Sequence, residues 1–156
     1  MTMPITHGPT AEGPDSTARA GRSVDVLLVG VDGAAHRRRW TTDAHGGLLA
    51  QLQGAVGGLV DVVALADNLD VWVNDEGLYL CEPNPVATLL ALALGRDAPL
   101  FGPAVFTGGA DQQGDTVGLD PGTCEQLTTL VRLASADPTR LAAVQLAAVA
   151  FAARYR

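Results

Sequence analysis

The chain contains no lysine: all ten of its basic residues are arginine. With alanine and glycine abundant, that bias reads as the mark of a GC-rich coding genome and carries no chemistry of its own. Cysteine is scarce as well. Cys81 and Cys124 are far apart and neither belongs to a paired spacing, which argues against a disulfide framework or a cysteine-based zinc site and fits a reducing cytoplasm. Aromatic residues make up 4% of the chain against 47% hydrophobic overall, so a core has to be built from Val, Leu and Ala. No apolar run is long enough to span a bilayer. The longest candidate, Leu141 to Ala153, is broken by Gln145, whereas a span needs roughly 20 residues.

Basic residues are also missing from the whole interval between Arg39 and Arg96, where Asp43, Asp61, Asp67, Asp70, Asp75, Glu76 and Glu82 all fall. The formal net charge is −7. An acidic surface of this kind repels duplex DNA and anionic membranes, whose affinity is carried by Lys and Arg contacts to phosphate. The exception is Arg37-Arg38-Arg39, flanked by His36 and Trp40. That triplet suits a solvated edge strand, the simpler reading, or a grip on a phosphate or an acidic partner.

What is present points to one α+β domain, a size that 156 residues suits. Residues 1–23, rich in Thr, Pro, Gly, Ala and Ser and without the apolar centre of an export signal, read as a flexible tail before a domain over residues 24–156. Val24 to Gly30, the Asp32-Gly33 turn and Arg37 to Thr41 read as a hairpin. Thr42 or Asp43 is placed to cap a helix through Leu48, Leu49, Leu52 and Val56 that stops at Gly57-Gly58. Leu59 to Ala66 and Val71 to Asn74 read as strands around the Asp67-Asn68 turn. Asn74-Asp75-Glu76-Gly77 then predicts a type I turn with a left-handed Gly77, closing a hairpin onto Leu78 to Cys81 and bringing Trp72 near Tyr79.

Asn84-Pro85 predicts an N-cap and first helical residue, with Val86, Leu89, Leu90, Ala93 and Leu94 as the apolar stripe and Gly95 as the stop. Leu100 to Thr107 has strand character, although Gly102-Pro103 inside it suggests an edge or a bend. Asp120-Pro121 and Asp137-Pro138 open two more helices. The last, over 138–154, is apolar on two sides: Leu141, Val144, Ala148 and Phe151 form one stripe, and Leu146, Val149 and Ala153 another. Its second face predicts a homo-oligomer through residues 138–153, with burial inside one chain as the rival account. The expected fold is a mainly antiparallel sheet of about 5–6 strands with helices packed on one face.

Several of these segments carry a resemblance. Gly57-Gly58-Leu59-Val60-Asp61-Val62-Val63, Leu69 to Gly77 ending in Asn-Asp-Glu-Gly, Pro83-Asn84 with Ala87-Thr88, and Gly102-Pro103-Ala104-Val105 occur in an order and spacing that, over roughly residues 24–133, resembles the bacterial and phage family called domain of unknown function 3846. That family usually has Asn-Glu-Glu-Gly where this chain has Asn74-Asp75-Glu76-Gly77, and a basic residue often follows its Pro-Asn where this chain has Pro85. The resemblance implies an origin among phages, plasmids and actinobacterial genomes and no assigned activity. The N-terminal tail and the last helix lie outside it.

The candidate ligand-binding residues are Trp72, Asn74, Glu76, Tyr79 and Asn84, around the turn and the start of the following helix. Structural roles compete at two of them: turn geometry accounts for Asn74, with Gly77, and helix capping for Asn84, which leaves Glu76 the least explained of the turn residues. Asp111 and Asp115 frame a glycine-containing loop without calcium-ligand spacing. His36 and His45 have no Cys, Ser or carboxylate partner at a motif spacing, so no catalytic residue, metal or cofactor is assigned. The favoured function is a non-enzymatic binding module of mobile-element origin that takes a small molecule or a host protein. An acidic protein that occupies a partner's nucleic-acid-binding surface and an unrecognised hydrolase or transferase are the alternatives.

Overall fold

The computed structural model describes residues 19–156. The tail expected over 1–23 therefore lies, for residues 1–18, outside the described residues. Arg19 and Arg22, inside that expected tail, attach to the folded chain: the Arg19 guanidinium meets Asp115 and the Arg22 N–H donates to Thr42 Oγ1 at 2.8 Å.

The elements run β1 (Ser23–Val29), β2 (Ala35–Thr41), α1 (Leu49–Val56), β3 (Val60–Ala66), β4 (Leu69–Asn74), α2 (Gly77–Leu80), α3 (Pro85–Ala93), β5 (Ala104–Thr107), α4 (Pro121–Ser135) and α5 (Pro138–Ala153). The strands form one antiparallel sheet in the order β2-β1-β5-β4-β3. The fold is α+β. Two local hairpins, β1–β2 and β3–β4, are joined by the four-residue β5, whose residues are all buried.

Alternation along the strands divides the core between the two faces of the sheet. Leu27, Val29, Val71, Val73, Ala104 and Phe106 point to one face, where α3 and α4 bring Val86, Leu90, Leu127 and Val131. α5 packs behind them, with Ala148 and Ala152 against Phe101. The three longest helices thus share one face. Val24, Val26 and Val105 point the other way and are covered by Leu48, Leu52 and Val56, so α1 holds the opposite face.

Three expected details are corrected. Leu78 to Cys81 is not the second strand of a hairpin; Gly77–Leu80 is a turn of helix, and Gly77 is not left-handed. The need for glycine there is steric: a Cβ on Gly77 would sit 2.9 Å from the Phe101 carbonyl oxygen. Neither Thr42 nor Asp43 caps α1, whose N-cap is Leu48 with no side-chain bond. Asp43 instead accepts from the N–H groups of His45 and Gly47 and closes its own turn ahead of the helix. Finally, Gly102 and Pro103 precede β5, with Gly102 at φ +79, so the bend is real while the strand beyond it is central and not at an edge.

The Asx-Pro helix starts behave as the sequence implies. The side chains of Asn84, Asp120 and Asp137 accept from the N–H groups of Ala87, Thr123 and Arg140. Each satisfies one of the donors that a helix N-terminus leaves unpaired. No helix among the described residues is long and apolar enough to cross a membrane.

Candidate functional site

The five residues singled out in the sequence take different positions. Asn84 is fully buried and all its amide chemistry is used internally: Nδ2 donates to Val29 O at 3.0 Å and Gly102 O at 2.9 Å, while Oδ1 accepts from Ala87. Asn74 is likewise engaged, donating to Val56 O at 3.2 Å and accepting from the Glu76 N–H at 2.8 Å. Trp72 is half-buried on β4, and its indole N–H donates to Thr107 Oγ1 at 2.9 Å. Glu76 and Tyr79 are exposed, Tyr79 on α2. The β4–α2 turn thus brings Asn74 and Glu76 into contact, whereas Tyr79 does not face Trp72 across a hairpin. α2 is fastened from the far end of the chain by Arg156, whose guanidinium donates to Leu78 O at 2.8 Å and Cys81 O at 3.1 Å.

A second constellation lies at the opposite side of the sheet. A cleft of about 460 Å³ is lined by Asp25 and Val26 of β1, Arg37, Arg38 and Arg39 of β2, and Leu119, Pro121 and Cys124 at the start of α4. The strand period of two explains part of this gathering. Arg37 pairs with Leu27 and Arg39 with Asp25, so both arginines project from the face that α4 covers. The loop before α4 can approach because Gly118 has no side chain: a Cβ there would lie 2.9 Å from the Asp25 nitrogen. The Leu119 N–H then donates to Asp25 O at 2.9 Å and places Pro121 and Cys124 at the cleft wall.

Charge in the cleft is unbalanced, the guanidinium groups of Arg37 and Arg39 against one carboxylate. Arg39 Nε donates to Asp25 Oδ1 at 2.8 Å, and this bond, with the charge of Arg39 and Arg37, holds the Asp25 carboxyl below its ordinary range. Arg37 Nε donates to Cys124 Sγ at 2.9 Å, which tethers the guanidinium to the start of α4. The two terminal amino groups of Arg37 have no partner among the described residues. A planar fork anchored at Nε with free terminal N–H groups suits a carboxylate or phosphate oxygen pair. Among the described residues no cluster of His, Cys, Asp and Glu is disposed to hold a metal.

The arginine triplet was visible in the sequence, but Asp25, Leu119, Pro121 and Cys124 were not connected to it. Nothing local marks them. Arg37 and Cys124 stand 87 residues apart, and only the sheet and the Gly118 approach unite them.

Residues 24–132 match the family model described as domain of unknown function (DUF3846), and the chain belongs to that family. Comparison with curated proteins and with solved structures gave no match. The matched range includes all of β1 but Ser23, β2, the Gly118 loop and most of α4, so every residue lining the cleft falls within it.

Proposed function

We propose that the protein is a non-enzymatic binding module that captures an anionic group, presented by a small molecule or by a host protein, in the cleft between β2 and α4. The observation that carries this reading is the Arg37 guanidinium, anchored on Cys124 with its terminal amino groups open, beside Arg39 and a single carboxylate. On a chain of net charge −7 this is a local reversal of sign, and field lines focused by such a cleft concentrate an anionic ligand. Glu76 and Tyr79, exposed at the β4–α2 turn, remain as the ligand-facing part of the first-named site, with Trp72, Asn74 and Asn84 as its supports. A cytoplasmic accessory protein of a phage, plasmid or other mobile element is the setting we infer, supported by the family membership and by free Cys81 and Cys124.

Titration with citrate and with inorganic phosphate, followed by amide chemical shifts, tests the cleft. Binding that shifts β2 and α4 resonances and is lost in Arg37→Gln supports the reading. Shifts confined to the β4–α2 turn would transfer the site to Glu76 and Tyr79. No response to either anion at moderate salt would remove the cleft from consideration.

Self-association is a second part of the proposal and rests on a separate observation. On α5, Ala148 and Ala152 are 1% and 2% exposed, whereas Leu146 and Val149 on the other side are 71% and 50% exposed. With Ala142 and Ala153 these fall at 4-3-4 spacing, the seam of a helix pair, and no charge interrupts residues 141–153. A second copy offers the same uncharged strip. Sedimentation across a concentration series is expected to show a reversible dimer that Leu146→Arg converts to monomer; a wild-type protein that is monomeric throughout would overturn it.

A further inference from the structure

β2 is an outer strand of the sheet, and which of its main-chain groups face outward follows from two bonds. The Thr42 N–H donates to Arg22 O and the Gly30 N–H to Ala34 O, both at 2.9 Å, and residues of the two strands pair in the constant register that joins Val26 to Arg38. Even-numbered residues of β2 therefore turn their N–H and C=O groups toward β1. Ala35, Arg37, Arg39 and Thr41 turn theirs away from the sheet. The same parity places the Arg37 and Arg39 side chains over the cleft. Open backbone and cleft-facing guanidinium thus belong to the same residues.

Two of the outward carbonyls are capped by side chains through solvent-exposed bonds. Arg38 Nη1 donates to Arg37 O at 3.1 Å and Gln51 Nε2 to Thr41 O at 2.7 Å. Both caps are solvated bonds that an incoming N–H replaces at little cost. Charge selects what comes in. Another copy's β2 would set arginine against arginine, and like charges directly opposed on paired strands are destabilising.

We propose that the β2 edge binds an extended acidic polypeptide segment as an added antiparallel strand, with carboxylates at alternate positions meeting Arg37 and Arg39 in the cleft. This rests on the cleft being an anion site and goes further, assigning the partner as a peptide chain and its mode as strand addition. In an antiparallel pair a residue opposite Arg37 points its side chain to the same face and its N–H toward Arg37. The acidic residues of the partner thus supply both the main-chain bonds and the charge contacts. Residues between them point to the opposite face, toward His36 and Arg38.

The test uses a blocked octapeptide alternating glutamate and valine and two N-methylated forms, one methylated at the glutamate nitrogens and one at the valine nitrogens. The parent and valine-methylated peptides are expected to bind and to slow hydrogen exchange at the Arg37 and Arg39 amides. Methylation at glutamate is expected to abolish this, and Arg37→Gln or Arg39→Gln to weaken binding by about fivefold or more. Equal binding by the glutamate-methylated peptide overturns strand addition and leaves a cleft that reads carboxylates alone. Binding of citrate with no peptide binding overturns the further step while the anion site stands. Failure of citrate, phosphate and all peptides removes both.

Discussion

Asn84 and Val29 lie 55 residues apart in the chain and are joined by a buried hydrogen bond of 3.0 Å. Through it, the first turn of α3 is tied to the end of β1, and the second amide hydrogen ties it to Gly102 just before β5. Replacing Asn84 by Ala strips two buried carbonyls of their donor and removes a helix cap. Unfolding in urea should show a loss of about 2–4 kcal/mol. Asn84→Asp should recover none of it, because a carboxylate keeps the cap but turns an oxygen toward carbonyl oxygens.

Gly77→Ala separates two causes by sign. In a helix with open surroundings, alanine is favoured over glycine by about 1 kcal/mol. At this position the new Cβ would meet the Phe101 carbonyl oxygen at 2.9 Å. Crowding should win, and the variant should be destabilised by about 1–3 kcal/mol in a denaturant titration. A stabilised variant would show that α2 shifts away freely.

That glycine also marks the limit of what the sequence displays. Asx-Pro starts at Asn84, Asp120 and Asp137 announce α3, α4 and α5, since cap and fixed φ are local properties. The Asp32-Gly33 turn and Asp67-Asn68 announce the two hairpins for the same reason. Asn74-Asp75-Glu76-Gly77 is different, because an αR turn there leads as well into a helix as into a strand. Approach of Phe101 and the bonds from Arg156 decide the matter, and both come from residues distant in the chain. The cleft is similar: its arginines are plain in the sequence, its opposite wall is not.

Acid should weaken the fold through its paired carboxylates. Hydrogen bonds from Arg19 hold Asp115 below the ordinary carboxylate range, as those from Arg39 do for Asp25. Such groups contribute stability above the unfolded value near 3.9, and the contribution is lost as pH falls through the lower folded value. The urea midpoint should hold down to about pH 4 and decline below it. Asp115→Asn should lower the midpoint at pH 6 and flatten the acid limb.

Asp70 works in the reverse direction. Burial on β4 pushes its carboxyl upward, so the ionised form is disfavoured in the folded state. Its unfavourable contribution is absent below the unfolded value, grows as pH rises from there toward the raised folded value, and is complete above it. Asp70→Asn should therefore raise the melting temperature at pH 7, by about 1–3 °C for a chain of this size, and leave it unchanged at pH 3. An equal gain at both values would assign the effect to packing.

The order β2-β1-β5-β4-β3 has a kinetic side. Each hairpin closes over a short loop, but the two meet only through β5, where Phe106 pairs with Leu27 and with Val71. Closing those distant pairings costs chain entropy before any contact repays it, which is what slows folding in sheet proteins. The hairpins can form and dissolve as the chain emerges from the ribosome. The sheet cannot lock until Ala104 to Thr107 has been synthesised, and until then the inner edges of β1 and β4 remain open to unintended pairing.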